Sequence, residues 1–299
     1  MFFHDAESAN RRNTFLLLFF FLCLVIFLGY ALGEAYNAPW AGLFFAATFA
    51  CITILPSYFA GDKLLLSMSS AHPVAKKDYP QLYNVVEELS IAAGIPMPKI
   101  YLIDDTAPNA FATGRSPKAA SVAITRGLLE KLDREELQGV MAHELSHIRN
   151  RDILYTTLVA LLVGTIVLLC DFSYRSFRYG RRLRSGDRSG QGNAIFLVVA
   201  ILLALFAPLF AQILQFAVSR QREYLADASG AELTRYPEGL ASALEKISKD
   251  KEVLEVANRA TQHLYIVNPI KPFESRAQNN IFSTHPPLEE RIKRLRAIQ

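Results

Sequence analysis

Cysteine is scarce in this sequence, with three residues in 299, and all three lie in or at the edge of apolar segments. So few thiols exclude a disulfide framework and a cysteine-rich metal site, and Cys23, Cys51 and Cys170 are expected to be small buried apolar side chains. Neither positive nor negative residues are in large excess. The net charge is +4 and comes from arginines beside apolar segments, so nucleic-acid binding is not expected.

Hydrophobic residues make up 51% of the chain and occur in long segments rather than periodically. Four segments approach or exceed the length of about 20 residues with which a helix crosses a bilayer. They are 14–31, 41–60, 153–170 and 194–218. The first segment is too long for the core of a signal peptide, so we expect it to be a membrane helix. Basic residues lie before the first segment and after the second, so the N-terminus and the chain that follows the second helix are expected in the cytoplasm. Pro56 is expected to bend or end the second helix, with the chain leaving the bilayer by about Asp62.

One short pattern points to metal chemistry. His143, Glu144 and His147 have the spacing H-E-x-x-H, which on a helix puts the two histidines one turn apart on the same face. Both imidazoles can then reach one metal ion at about 2.0 to 2.1 Å, with the glutamate beside a bound water. Asp133 and Glu136 form a capping-box pattern that predicts the start of this helix. The pattern indicates a hydrolytic zinc site, and a chance match is the competing explanation.

A catalytic zinc needs a third protein ligand, and Glu223 is the best candidate for it. This residue lies on a predicted helix directly after the fourth apolar segment, and Asp227 follows one turn later on the same face. A carboxylate at that position can accept the outer N–H of a zinc-bound imidazole and so fix the orientation of the ring. A solvated helix face with two acidic residues is the alternative interpretation.

Between the second and third apolar segments the composition becomes that of a soluble α+β unit. Periodicity predicts a helix over 79–93 that ends at Gly94, and short strands over 99–103, 110–113 and 121–125. The segment 109–114 has mostly small side chains, which would let another backbone approach closely. This makes its first four residues candidates for holding an extended peptide substrate by β-augmentation, with an ordinary structural strand as the alternative. These four residues are Asn109, Ala110, Phe111 and Ala112.

Four motifs together resemble the HtpX/Ste24 family of integral-membrane zinc metalloproteases, and within it HtpX most. They are His143 to His147, Glu223 to Asp227, Asn109 to Ala112, and Thr284 to Pro287. The resemblance covers nearly the whole chain and implies a membrane α-helical protein with an α+β zincin-like (gluzincin) metalloprotease domain. It implies one zinc ion per chain, held by His143, His147 and Glu223, with Glu144 as the catalytic base. It also favours His285 as a residue near the metal that stabilises the oxyanion, whereas its local sequence alone predicts a surface histidine at a helix start.

The resemblance further implies proteolytic quality control of membrane proteins, in a multi-pass protein of the bacterial inner (plasma) membrane with its protease domain in the cytoplasm. The third apolar segment begins six residues after His147, so the site must lie close to the bilayer, and loops or tails of membrane proteins are the expected substrates. A prenyl-protein (CaaX) endopeptidase of the Ste24 type is one alternative, although four apolar segments are few for its chamber. A non-enzymatic membrane scaffold is the other, but it would leave all four motifs idle.

The predicted organisation has four regions. Residues 1–66 form a membrane region with two helices, 67–152 the first part of the protease domain, 153–218 two further apolar helices joined by a loop, and 219–299 the second part with the third ligand. If both halves bind one metal, the loop 171–193 lies on the far side of the membrane, yet it carries six arginines, which the positive-inside rule disfavours there. The third and fourth segments therefore either cross as a hairpin or dip into the membrane without crossing it.

Overall fold

The structure is a computed structural model that describes residues 2–35, 37–166, 220–250, 252, 254, 264–267 and 286–298. Within this part there are nine α-helices and four β-strands. The helices are α1 (Phe2–Ala35), α2 (Pro39–Met68), α3 (Pro80–Ala93), α4 (Arg126–Lys131), α5 (Arg134–Arg149), α6 (Ile153–Leu158), α7 (Arg220–Thr234), α8 (Pro237–Lys249) and α9 (Leu288–Arg296). The strands are β1 (His72–Pro73), β2 (Lys99–Ile103), β3 (Ala110–Ser116) and β4 (Ala119–Thr125).

Helices α1 and α2 are long, apolar and packed against each other. Residues 10–31 of α1 and the whole of α2 are long and apolar enough to cross a membrane, as expected for the first two apolar segments. The helices approach closely where side chains are small, since a Cβ added to Gly29 would lie 2.3 Å from Ala46 Cβ. Cys23 and Cys51 lie on the outer surfaces, so the expectation that they are buried is wrong; a thiol suits an apolar exterior as well as a core. Cys170 lies outside the described residues.

Helix α2 extends further than the sequence predicted. It continues past Pro56 and Asp62 to Met68, and its bend comes at Ala60, where φ is −131° and ψ is 19°. Proline removes one backbone N–H and loosens a helix without always ending it when neighbouring elements support the chain. Such support is present next to the bend, because a Cβ on Gly61 would lie 2.8 Å from a side-chain carbon of α6.

The soluble part contains a mixed four-stranded sheet in the order β1-β2-β4-β3. Strands β2 and β4 are parallel, while β3 and β4 form an antiparallel hairpin that leaves β3 at the edge. The three predicted strands are confirmed, but β3 extends to Ser116 and β4 begins at Ala119, so Gly114 lies within a strand and not in the turn of the hairpin. Gly114 is instead part of an irregularity within the hairpin, with φ of 141° that side chains rarely adopt, and a Cβ there would lie 2.3 Å from Ala119 O.

Helix α5 is the buried centre of the soluble part. Its start is the predicted capping box, in which Asp133 accepts from the amide of Glu136 and the Glu136 side chain accepts from the amide of Asp133. Apolar side chains of α5 share one core cluster with those of α3, α8 and the sheet. Gly139 lets α8 pack directly on α5, since a Cβ there would lie 2.4 Å from the backbone nitrogen of Leu240. Any side chain on α5 that faces this core is therefore held in a narrow range of positions.

The chain passes from α5 into α6 through a tight turn at Asn150, Arg151 and Asp152. Arg151 has φ of 58°, and α6 continues as a π-helical turn over Val159–Val163. The structure describes the third apolar segment up to residue 166, and the fourth segment and the loop 171–193 lie outside the described residues. The division of the chain at 66/67, 152/153 and 218/219 therefore stays a prediction. Helices α4 and α8 and the short strand β1 had no counterpart in the sequence analysis.

Candidate metal and catalytic site

Three potential metal ligands converge between α5 and α7. The Nε2 atoms of His143 and His147, one turn apart on α5, are 3.2 Å from each other. Glu223, in the first turn of α7, places Oε2 3.8 Å from His143 Nε2 and Oε1 3.7 Å from His147 Nε2. The two helices can come this close because Gly230 of α7 faces the backbone of α5, where a Cβ would lie 3.1 Å from His143 N.

The spacing of these atoms fits a metal ion. Bonds of about 2.0 to 2.1 Å arranged tetrahedrally put neighbouring ligand atoms about 3.3 Å apart. One atom from each of His143, His147 and Glu223 can be chosen so that all three lie within 4.8 Å of one another. The His143 and Glu223 side chains are buried and that of His147 is mostly so, which makes an unpaired carboxylate costly there. The donor set of two imidazole nitrogens and one carboxylate can therefore hold a divalent metal.

Each imidazole is held by a carboxylate on its outer nitrogen. Asp227 Oδ1 lies 2.9 Å from His143 Nδ1, which is the contact expected from the sequence. Asp152 Oδ2 lies 3.0 Å from His147 Nδ1, a contact that the sequence analysis missed. The signal was present as an acidic residue five positions after the second histidine, immediately before an apolar segment. With Nδ1 donating to a carboxylate, Nε2 of each ring keeps its lone pair for a metal.

Arg291 of α9 is a second residue that the sequence analysis missed. It is fully buried, and its Nε and Nη2 donate to the two carboxylate oxygens of Asp227 at 2.9 and 2.7 Å. Its Nη1 lies 3.4 Å from Glu223 Oε2 and donates to the carbonyl of Ile266 at 3.1 Å. The signal lay in the helical pattern, because Arg291 stands in line with the apolar residues Leu288 and Leu295. An arginine on an apolar face indicates a buried charge with acidic partners.

Glu144 lies beside the ligands and is buried, with 2% of its surface exposed. Burial raises the pKa of its carboxyl group to about 7, although the charges of His147 and Arg291 and a hydrogen bond from the backbone of Ala112 oppose the rise. The Ala112 contact places the carboxylate between α5 and strand β3. Glu144 is thus next to the three candidate ligands and lies outside their cluster.

Burial and neighbouring charges shift the pKa values of the two histidines in opposite directions. Burial and the charge of Arg291 lower the pKa of His143, against the opposing hydrogen bond to Asp227. Burial also acts to lower the pKa of His147, but the charge and hydrogen bond of Asp152, together with Glu223 and Glu144, raise it to about 10. A metal cation bound to the two Nε2 atoms would take the place of the proton on His147.

The proposed substrate-binding residues Asn109 to Ala112 lie at the edge of the sheet, next to Glu144. All four are almost fully buried, because residues 264–267 cover this edge. Ile266 N–H donates to Ala110 O at 3.1 Å, and Asn109 Nδ2 donates to Val267 O at 3.0 Å. Residues 264–267 thus occupy some of the hydrogen-bonding positions on this edge that a substrate strand would use. His285, the remaining predicted site residue, lies outside the described residues.

Comparisons with known proteins are consistent with this geometry. The model of peptidase family M48 matches residues 76–299. A protein named Protease HtpX homolog from Dictyoglomus thermophilum is 48% identical over 294 residues, which cover 98% of this chain and 94% of the relative. One of the same name from Thermoanaerobacter pseudethanolicus is 44% identical over 296 residues, covering 99% and 97%.

Among solved structures, that of S. mikatae Ste24p is similar with a TM-score of 0.49 and 20% identity, over 97% of this chain and 66% of that one. The family model alone covers well over half of the chain, including all three ligand candidates and Glu144. The resemblance inferred from the four sequence motifs is thereby confirmed. The chain belongs to peptidase family M48 and is a metalloprotease, a hydrolase of peptide bonds.

Proposed function

We propose that this metalloprotease binds one zinc ion per chain through His143, His147 and Glu223, in a gluzincin arrangement. We propose further that it hydrolyses peptide bonds of membrane proteins close to the cytoplasmic surface. The observation that carries the proposal is the convergence of two imidazole nitrogens and one carboxylate, at nearly tetrahedral spacing, beside the buried Glu144. A set of two histidines and one glutamate is typical of catalytic zinc with a position left open for water.

When bound, zinc would lower the pKa of a water molecule and polarise the carbonyl group of the peptide. Glu144 would accept the proton of the attacking water and return it to the amine nitrogen as the C–N bond breaks. Its contact with the backbone of Ala112 supports this role, because it brings the carboxylate to the edge strand. Asp227 would hold His143 in the tautomer that leaves Nε2 free for the metal.

The substrate is proposed to lie extended along Asn109 to Ala112. Alternate residues of an edge strand turn their backbone groups away from the sheet, and Ala110 and Ala112 are two such residues, since Ala110 O bonds to Ile266 and Ala112 to Glu144. The carbonyl of Ala112 points the same way. We therefore assign this carbonyl as the acceptor for a substrate N–H, next to the catalytic carboxylate.

Location in the bacterial inner membrane, with the protease domain facing the cytoplasm, is part of the proposal. Helices α1 and α2 support membrane insertion by their length and composition, and basic residues beside their apolar segments, on the side away from the connecting loop, support the orientation. A site held so close to lipid suits substrates that are themselves in the membrane. Quality control of misfolded membrane proteins is the role that fits such an enzyme best.

The test compares the purified full chain with Glu144→Gln and with Glu135→Gln, a matched control on the exposed first turn of the same helix. All three proteins are expected to bind one zinc per chain. Cleavage of casein and of a membrane-protein substrate should fall by about 10²- to 10⁴-fold in Glu144→Gln alone, the usual contribution of a general base.

A Glu144→Gln variant that cleaves at the wild-type rate would contradict the assigned base, and a wild-type protein without zinc would overturn the metal site. A prenylated peptide assayed in parallel separates the two protease alternatives. Cleavage restricted to that peptide would assign the Ste24-type activity instead of the general one.

A further inference from the structure

We propose that Asp152 is a positioning residue of the active site, which holds the imidazole of His147 so that its Nε2 faces the metal. The inference rests on the proposed zinc site. Asp152 is 3% exposed, and its Oδ2 lies 3.0 Å from His147 Nδ1. A buried carboxylate that accepts from Nδ1–H fixes both the ring orientation and the tautomer of a metal-binding histidine, and it increases the basicity of the other nitrogen.

The place of Asp152 in the chain would ordinarily give it another role. It is the N-cap residue of α6, where an aspartate side chain commonly accepts from the free N–H groups of the first turn. Within the described residues its side chain makes no such bond. Its main-chain carbonyl accepts from the amide and hydroxyl of Thr156 instead, while the carboxylate turns back towards α5. The side chain therefore serves His147 and not the helix it precedes.

The Asp152 carboxylate faces two groups that carry positive charge, His147 and Arg222 of α7, whose pKa its charge acts to raise. In the part of the chain that the structure describes, Asp152 Oδ1 is buried without a hydrogen-bond partner. A buried acceptor left unsatisfied costs about 1 to 3 kcal/mol. A smaller cap residue such as serine would avoid that cost. Of its two charged neighbours, His147 is the one that the carboxylate contacts at 3.0 Å on the outer ring nitrogen, and a metal-binding histidine needs such an acceptor there.

The two histidines thus have equivalent partners that come from different parts of the fold. Asp227, the partner of His143, belongs to α7 in the soluble part and is itself held by Arg291. Asp152 belongs to the turn at the start of the third apolar segment, where Asn10 of α1 donates to the carbonyl of Asn150 at 3.4 Å. One ligand is oriented by the soluble domain and the other by the junction with the apolar helices.

The test uses the full chain in detergent with Asp152→Asn and Asp152→Ala, and with Asp250→Asn as the matched control. Asp250 follows the last residue of α8 and pairs with Lys131 of α4, and neither residue contacts the histidines. Three quantities are measured: the rate at which zinc is lost to excess EDTA, the visible absorption spectrum of the Co²⁺-substituted protein, and the melting midpoint of the metal-free protein. Cobalt absorption reports the geometry of the ligands directly and would not respond to a merely structural role.

We expect both Asp152 variants to lose zinc about 10- to 100-fold faster than wild type, the range for the outer partner of a metal-binding histidine. Their Co²⁺ spectra should change, with Asp152→Asn less affected because its amide oxygen can still accept from Nδ1–H. The control should match wild type. If the wild type binds zinc and cleaves, then unchanged zinc loss and unchanged Co²⁺ spectra in both Asp152 variants would overturn this inference alone. Loss of folding in Asp152→Asn with zinc supplied would also overturn it, whereas a wild type that binds no zinc overturns the proposed function itself.

Discussion

Replacing Arg291 by methionine removes the charge that balances two buried carboxylates. The guanidinium makes two hydrogen bonds to Asp227 and lies 3.4 Å from Glu223, and both acidic side chains are nearly inaccessible to solvent. Methionine is unbranched and flexible, so it replaces the aliphatic part of the arginine side chain without restoring the charge. The metal-free protein would then hold the Asp227 and Glu223 carboxylates without this charge, leaving His147 and Arg222 as positive groups near Glu223.

Breaking a buried ion pair by removing one partner costs about 3 to 5 kcal/mol, because the other charge stays in a medium of low polarity. Native proteins are stable by only about 5 to 15 kcal/mol, so Arg291→Met should lower the melting midpoint of the metal-free protein markedly. Zinc should restore part of the loss, since a cation bound to Glu223 and His143 replaces the missing positive charge near both carboxylates.

The assay is thermal unfolding of Arg291→Met, of Asp227→Asn and of the double variant, each with and without zinc. The double variant should be more stable than Arg291→Met alone, because it no longer holds the stranded carboxylate. Arg296→Met is the control on the same helix: its guanidinium makes hydrogen bonds to Glu238 of 2.8 to 3.2 Å, but on the exposed surface. It should change the midpoint little. Equal effects of Arg291→Met and Arg296→Met, or a double variant no more stable than Arg291→Met, would refute the reasoning.

The remaining predictions concern the metal, the packing and the topology. His147→Ala and Glu223→Ala should each lower zinc affinity, measured by competition with a chelator of known affinity; normal affinity in Glu223→Ala would mean that the third ligand is elsewhere. Gly139→Ala should lower the melting midpoint, since its Cβ would lie 2.4 Å from Leu240 N; an unchanged midpoint would show that α5 and α8 can separate at no cost. A cysteine at Ser185, in a background without native cysteines, should react with an impermeant maleimide outside intact cells if the third and fourth segments cross as a hairpin. Protection until the membrane is opened would favour the dipping arrangement.

Much of the candidate site could be predicted from the sequence because its residues are close together within single helices. His143 and His147 are four residues apart, and Asp227 is four residues after Glu223, so the helical period alone puts each pair on one face. The capping box at Asp133 was also correct, since its two hydrogen bonds join residues three positions apart. Patterns of this kind depend on local backbone geometry, which the sequence specifies directly.

Arg291 and Asp152 could not be assigned in that way. Arg291 is 64 residues from Asp227 and 148 from His143, and no periodic pattern relates positions so far apart. Asp152 is close to His147 in sequence, but as an N-cap residue it had a sufficient local explanation. Covering of the edge strand by residues 264–267 is likewise a long-range contact, with 158 positions between Asn109 and Val267.

The sequence by itself thus determined the first two apolar helices, the helix that carries His143 and His147, and the chemical nature of the candidate ligands, because composition and short spacing carry that information. Only the tertiary structure decided which charges surround the ligands. Burial makes that choice, since a carboxylate or guanidinium removed from water must find a partner within hydrogen-bond reach. The partner is the charged side chain that tertiary packing brings within reach, and its separation along the sequence does not decide the pairing.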